Sequence, residues 1–133
     1  MKIFICIDND KGMLFNNRRQ SRDSKLLEKI AEIVQNNKLW ITEFSKNLFE
    51  NDVVIDNDML DKALEEDFCF VENLELSLYI EKITEIYLFH WNRSYPSDFK
   101  LNLDMNTNFK LINTEDFAGS SHEKITLEVW TND

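Results

Sequence analysis

The sequence predicts an α/β fold, a mostly parallel sheet flanked by helices and closed by antiparallel C-terminal strands. Three observations predict it. The chain opens on KIFICI (2–7), a continuously apolar run rich in Ile and Phe, as expected of a strand buried on both faces. Similar short apolar runs then alternate with stretches whose apolar residues recur at helical spacing, the pattern of strands joined by helical crossovers. The last run, KITLEVWT (124–131), alternates cleanly, with Ile125, Leu127 and Val129 on one face and Thr126, Glu128 and Trp130 on the other.

The elements follow in order. The polar run DNDKGMLFNNRRQSRD (8–23) reads as the connection from the first strand to the first helix. In DSKLLEKIAEIVQNN, Leu26, Leu27, Ile30, Ile33 and Val34 fall at helical spacing; Asp23 or Ser24 caps the start, and Asn36 and Asn37 end it. KLWI (38–41) is a second strand, EFSKNLFE (43–50) a short helix with Phe44, Leu48 and Phe49 inward, and DVVI (52–55) a third strand. DNDMLDKALEED predicts a capped helix of about two turns, with Met59, Leu60, Ala63 and Leu64 on its apolar side. DFCFV (67–71) is a fourth strand, LELSLYIEKI (74–83) a helix and EIYLFHW (85–91) a fifth strand. After a loop containing Pro96, FKLIN (109–113) and KITLEVWT pair as the closing strands.

Composition excludes several functions. With 133 residues, no repeat and no Pro/Gly/Ser linker, residues 1–133 read as a single domain able to bury its own core. No apolar run approaches the ~20 residues of a membrane span, and IFICI is too short for a signal-peptide core, so a cytoplasmic protein is expected. Cys6 and Cys69 sit in apolar strands and are expected to be buried, reduced thiols, although a bridge between neighbouring strands is an alternative. A net charge of −10 makes the chain acidic and argues against bulk nucleic-acid binding, which needs clustered Lys and Arg. The only glycines are Gly12 and Gly119, so neither a G-x-G-x-x-G dinucleotide loop nor a Walker phosphate loop can exist. DNDMLD (56–61) lacks the glycine of a calcium loop and reads as helix capping, and DND (8–10) as a turn; no metal site is expected.

With its elements laid out, the chain resembles the dihydrofolate reductase fold. KGMLFNNRRQS (11–21) lies on the family's N-G-I-G-x-N-N-x-L-P-W pattern, Gly12 matching the first glycine and Asn16 and Asn17 the asparagines. KITEIYLFHWNRSYPSDFKLNL, FKLINTEDF and KITLEVW look like the family's last three strands. The departures bear on activity. Leu14 stands where the family has the glycine that passes the nicotinamide, and Gln20 and Ser21 replace Pro-Trp. The pterin-binding carboxylate's position falls at about Leu26, between Asp23 and Glu28. The family's glycine-arginine turn has become TEFSK, and its double glycine has become Glu72 and Asn73, where negative charge would repel a cofactor phosphate. The resemblance therefore implies the scaffold without NADPH-dependent reduction, and no cofactor is expected. The chain also resembles a small bacterial family loosely labelled ribonuclease Z. The H-x-H-x-D-H metal cluster of such enzymes cannot be built from His90 and His122, so that activity is not expected.

Three clusters carry candidate chemistry. Arg18, Arg19 and Arg22, with Asn16 and Asn17, form the one concentrated basic stretch, just before a helix N-terminus, and suit a small anionic ligand. Internal pairing with Asp8, Asp10 or Asp23 is the plainer alternative. HWNRSYP (90–96) places Trp91, Arg93 and Tyr95 at a strand end, where they could stack on a planar ring or cover the core edge. GSSHEK (119–124) supplies His122, a general-base candidate provided that partners from other elements reach it. The expected function is a non-catalytic domain that binds a small anionic ligand or a protein partner. The alternative is a small hydrolase or nuclease using His122 or His90 with nearby carboxylates, which requires loops 9–22 and 114–123 to converge.

Overall fold

The computed structural model describes residues 1–50 and 52–132. In chain order the elements are β1 (Lys2–Ile7), β2 (Gly12–Phe15), β3 (Arg18–Arg19), α1 (Ser24–Val34), β4 (Leu39–Ile41), β5 (Val53–Ile55), α2 (Met59–Lys62), β6 (Phe68–Val71) and β7 (Glu85–His90). Then come β8 (Phe99–Lys100), α3 (Met105–Asn108), β9 (Lys110–Phe117) and β10 (Ile125–Thr131). The central sheet has seven strands in the order β5-β4-β6-β1-β7-β10-β9. Neighbours from β5 to β7 pair in parallel, and β10 alone runs against both of its neighbours. This is the mostly parallel α/β sheet with an antiparallel C-terminal closure. No helix among the described residues is long and apolar enough to cross a membrane.

β1 sits in the middle because it is apolar on both sides. Ile3, Ile5 and Ile7 pack with Cys69, Val71, Ile86 and Leu88 beneath β2 and α2. Phe4 points the other way and stacks on Phe68, ring centroids 5.2 Å apart, beneath α1. α1 buries Leu26, Ile30 and Val34, spaced four apart, each contributing roughly 1.5–3 kcal/mol on burial. Cys6 and Cys69 are free thiols, and they pack on opposite faces of the sheet.

The run 8–23 is not a plain connection. Asn16 and Asn17 both adopt left-handed backbone angles, φ 51° and 59°, and turn β2 back onto β3 in a two-residue hairpin. β8 completes a small second sheet, β3-β2-β8. Asp8, fully buried, organises the start of this excursion: its Oδ1 accepts from the amides of Asp10 and Gly12, and its Oδ2 from Gln20 Nε2 and the Tyr95 amide. Gly12 has to lack a side chain there, since a Cβ would lie 2.6 Å from Gln20 Nε2 and 2.8 Å from Asp8 Oδ2.

Three predicted helices are shorter than their patterns. Residues 43–50 form a 3₁₀-helix over Glu43–Leu48, and 56–67 form only the single turn of α2. Because Ala63 is already extended, Leu64 lies outside the helix and is 68% exposed. Residues 74–83 are not an α-helix but a 3₁₀ turn over Ser77–Tyr79. The segment's C-terminal carbonyls are held from outside, the N-terminal amine donating to Lys82 O and Asn132 Nδ2 to Ile80 O and Ile83 O, which anchors its end. β9 extends past its predicted end to Phe117, because it pairs with β10 along its length as a solvent-exposed edge that needs no apolar pattern.

Candidate functional site

The site is built where loop 119–122 meets the N-terminus of α1. Asp23 is the helix N-cap, its carboxylate accepting from the Lys25 and Leu26 amides. The same carboxylate accepts from the Ser120 amide at 3.0 Å, the Ser121 amide at 2.9 Å and His122 Nδ1 at 2.9 Å. Burial pushes this carboxyl up, but the bonds from Ser120, His122, Ser121 and Lys25 outweigh it and hold it well below the usual carboxylate range. Gly119 makes the approach sterically open: a Cβ there would lie 2.5 Å from Asp23 Oδ2 and 2.8 Å from the His122 carbonyl oxygen.

His122 is enclosed. Its side chain is 1% exposed and lies flat on Trp91, ring centroids 4.5 Å apart and planes 24° from parallel. Asp23 is ionised and only accepts, so Nδ1 carries the proton, and in the neutral ring Nε2 is the acceptor. Two hydroxyls reach that nitrogen, Ser21 Oγ at 3.0 Å and Tyr95 Oη at 3.2 Å. Loops 9–22 and 114–123 thus converge, and they do so through Ser21, Asp23 and His122. Ser120 and Ser121, the serines next to His122 in sequence, bond to Asp23, and Ser121 Oγ also lies 3.2 Å from His122 Nδ1, on the side away from Nε2.

Beside this junction, near the carboxyl ends of β1 and β6, lies a narrow cavity of about 20 Å³, room for about one water. Cys6, Met13, Gln20, Ser21, Arg22 and Phe70 are among its lining residues. Burial, reinforced by the Glu72 carboxylate, pushes the Cys6 thiol well above its usual value, so it is an inert wall. Gln20 Oε1 is buried with no hydrogen-bond partner among the described residues. Arg19 and Glu72, also on the wall, close across the cavity: Nε and Nη2 each lie 2.9 Å from a Glu72 carboxylate oxygen. Nη2 also donates to the Phe44 carbonyl, and Ser45 Oγ donates to Glu72 at 2.7 Å. The hydrogen bonds to Glu72 raise Arg19 further, so the guanidinium stays charged.

The remaining candidates from the sequence separate. Asn16 and Asn17 form the hairpin turn, with Arg18 exposed beside them. Arg18 and Arg22 form no ion pair among the described residues, whereas Arg19 is fully committed. Trp91 presents one face to His122, Tyr95 holds its ring nitrogen, and Arg93 lies 3.4 Å from the Ser121 carbonyl oxygen. These aromatic groups cover the buried imidazole and do not make an open stacking platform. His90 lies on the other face of the sheet, 2.7 Å from Glu128, and does not join His122. Among the described residues no three His, Cys, Asp or Glu side chains are grouped to hold a metal ion.

Sequence reasoning missed Ser21, Glu72 and Gly119 as parts of the site, and read Asp23 as one of two cap candidates and a pairing partner for the arginines, not as the partner of His122. The available signal was weak: a polar pair standing in place of Pro-Trp, and a carboxylate in place of a glycine pair.

No family model and no curated protein sequence matches the chain. Its structure is similar to that of the dihydrofolate reductase from Enterococcus faecalis, solved in complex with NADP(H) and RAB-propyl. The TM-score is 0.71 at 9% identity, over 99% of this chain and 95% of that one. Nothing in the comparisons points to ribonuclease Z. The chain has a dihydrofolate reductase-like fold, carried by a sequence with little in common with that enzyme's.

Proposed function

We propose that this domain binds a small ligand carrying a carboxylate or phosphate in the cleft between α1 and the carboxyl ends of β1 and β6, and that it does not reduce substrates with NADPH. The observation that carries the reading is the Arg19–Glu72 pair. Arg19 grips the Glu72 carboxylate with two parallel bonds of 2.9 Å, the fork geometry with which an arginine holds a ligand carboxylate or phosphate. Glu72 acts as an internal stand-in for that anion and keeps the cavity near 20 Å³. A ligand enters by exchanging with Glu72.

Open α/β sheets bind ligands outside the carboxyl ends of their strands, which is where this cleft lies. The dihydrofolate reductase of similar fold is a complex with NADP(H). In this chain Glu72, partly buried and paired with Arg19, stands where the resemblance places a glycine pair, so the close backbone approach that glycines allow a dinucleotide phosphate is lost there.

The test is calorimetric titration of wild type, Glu72→Gln and Arg19→Ala with inorganic phosphate, mononucleotides, phosphorylated sugars, folate and NADPH. Removing the competing carboxylate is expected to tighten anion binding by about tenfold or more, equivalent to ~1.4 kcal/mol, and removing Arg19 to abolish it. Silence in both wild type and Glu72→Gln would overturn the ligand reading and leave a protein partner as the occupant of this surface. NADPH oxidation in the presence of dihydrofolate would overturn the non-reductase reading.

A further inference from the structure

We propose that Ser21 is an acyl-accepting nucleophile, activated by His122 and Asp23, and that the protein hydrolyses small esters. The three groups have the connectivity that such a nucleophile requires. Ser21 Oγ lies 3.0 Å from His122 Nε2, and His122 Nδ1 lies 2.9 Å from Asp23 Oδ2. They come from different elements and are brought together by the meeting of two loops.

A histidine with a purely structural task needs one partner on each nitrogen. Asp23 serves Nδ1, and Tyr95 alone would serve Nε2. Ser21 is a second hydroxyl on the same nitrogen, and of the two it is Ser21 that lines the cavity. Ser21 is partly exposed, whereas the side chains of His122 and Asp23 are enclosed, although Asp23 also borders the cavity. The hydroxyl is thus the member of the three that solvent and substrate reach, with the base and its orienting carboxylate in line with it. Asp23 already engages the Lys25 and Leu26 amides, so the developing oxyanion is assigned to Arg22, which lines the same cavity and forms no ion pair among the described residues. The cavity has room for about one water, so the ester meets Ser21 from its exposed side and only a short uncharged acyl group, packed at the rim beside Met13, Leu26 and Phe70, is accommodated.

The step balances without any co-reactant but water. Ser21 Oγ forms a bond to the ester carbonyl carbon as its proton passes to His122 Nε2. The tetrahedral adduct collapses, the ester C–O bond breaks, and the leaving alcohol takes that proton. Water then attacks the acyl-serine, giving a proton to Nε2, and the carboxylic acid departs as Ser21 regains its hydrogen.

The test uses the full chain with a neutral fluorophosphonate probe and p-nitrophenyl acetate, with circular dichroism to verify folding. Wild type is expected to be labelled at Ser21 and to turn over the ester, and Ser21→Ala to lose on the order of 100-fold or more of that rate. Tyr95→Phe leaves Nε2 to Ser21 alone and is expected to speed labelling several-fold; a purely structural site predicts no change. Ser21→Cys supplies an independent readout, the pH profile of its alkylation by iodoacetamide. A thiol paired with His122 alkylates with a midpoint at least about one unit below the ordinary ~8.5. An unlabelled wild type, a folded Ser21→Ala that keeps the esterase rate, or an ordinary thiol midpoint in Ser21→Cys would each overturn the proposal. Its probes carry no anion and report a covalent bond, so its failure is distinguishable from failure of the Arg19 anion site.

Discussion

Asp23 Oδ2 and His122 Nδ1 lie 2.9 Å apart, joining two positions ninety-nine residues distant in the chain, with both side chains enclosed. Removing one partner of such a pair strands the other and also removes the cap of α1. Asp23→Ala is expected to cost about 3–5 kcal/mol, and the melting temperature to fall by roughly 10 °C or more. Asp23→Asn retains an accepting oxygen for the helix amides and is expected to lose less. Thermal unfolding followed by circular dichroism checks both, and equal stability of Asp23→Ala and wild type would contradict the account.

The same pair sets an acid limb. Burial raises the Asp23 carboxyl, but its bonds lower it further, so the folded pKa lies below the unfolded value of about 3.9. A depressed carboxylate contributes stability that is fully present above the unfolded pKa and is lost as pH falls below it toward the folded one. The stability difference between wild type and Asp23→Asn is therefore expected to be constant above about pH 5 and to shrink steadily below about pH 4. Urea titrations across that range measure it. A difference that grows on acidification would reverse the sign.

Gly119 shares the staple. An alanine Cβ would meet Asp23 Oδ2 at 2.5 Å and the His122 carbonyl oxygen at 2.8 Å, and the second contact is backbone that cannot rotate aside. Gly119→Ala is expected to destabilise by about 2–3 kcal/mol, as overpacking does. It should do so less in an Asp23→Ala background, where the nearest atom is gone. A double-mutant cycle is expected to return a coupling of about 0.5–3 kcal/mol, and simple additivity would separate Gly119 from the site.

The hairpin turn offers a local test. Asn17 sits at φ 59°, and Asn16 at φ 51°. A β-branched residue is strained in that region, so Asn17→Val is expected to cost about 1–3 kcal/mol, with Asn17→Gly neutral to within roughly 0.5 kcal/mol. Denaturant midpoints with unchanged slopes would establish that only stability has moved.

Much of the architecture is legible residue by residue. β1 and α1 carry complete local signals: an unbroken apolar run, and Leu26, Ile30 and Val34 on one stripe behind an acidic cap. The hairpin was legible in principle, since paired asparagines favour left-handed angles, but it lies inside a polar run that also reads as a loop. Segment 74–83 misleads because its helical spacing is real, while its backbone closes only short turns, among them Tyr79 N to Leu76 O and Lys82 N to Tyr79 O, and its end is tied to the N-terminal amine and Asn132 from elsewhere in the chain. In the site, His122 stands out as a candidate base and Asp23 as a cap, but neither local pattern implies the other.

The sequence by itself determined the α/β class, the core strands, the start of α1 to within one residue and the absence of glycine-rich phosphate loops, because each depends on residue type or short-range periodicity. Only the tertiary structure decided that Asp23, His122 and Ser21 meet in one run of hydrogen bonds and that Arg19 is spent on Glu72. Those contacts span tens of residues, and burial strengthens them by withdrawing the charges from water. Which partners meet is a property of the sheet order that folds loop 119–122 onto the start of α1, and no stretch of chain carries that order locally.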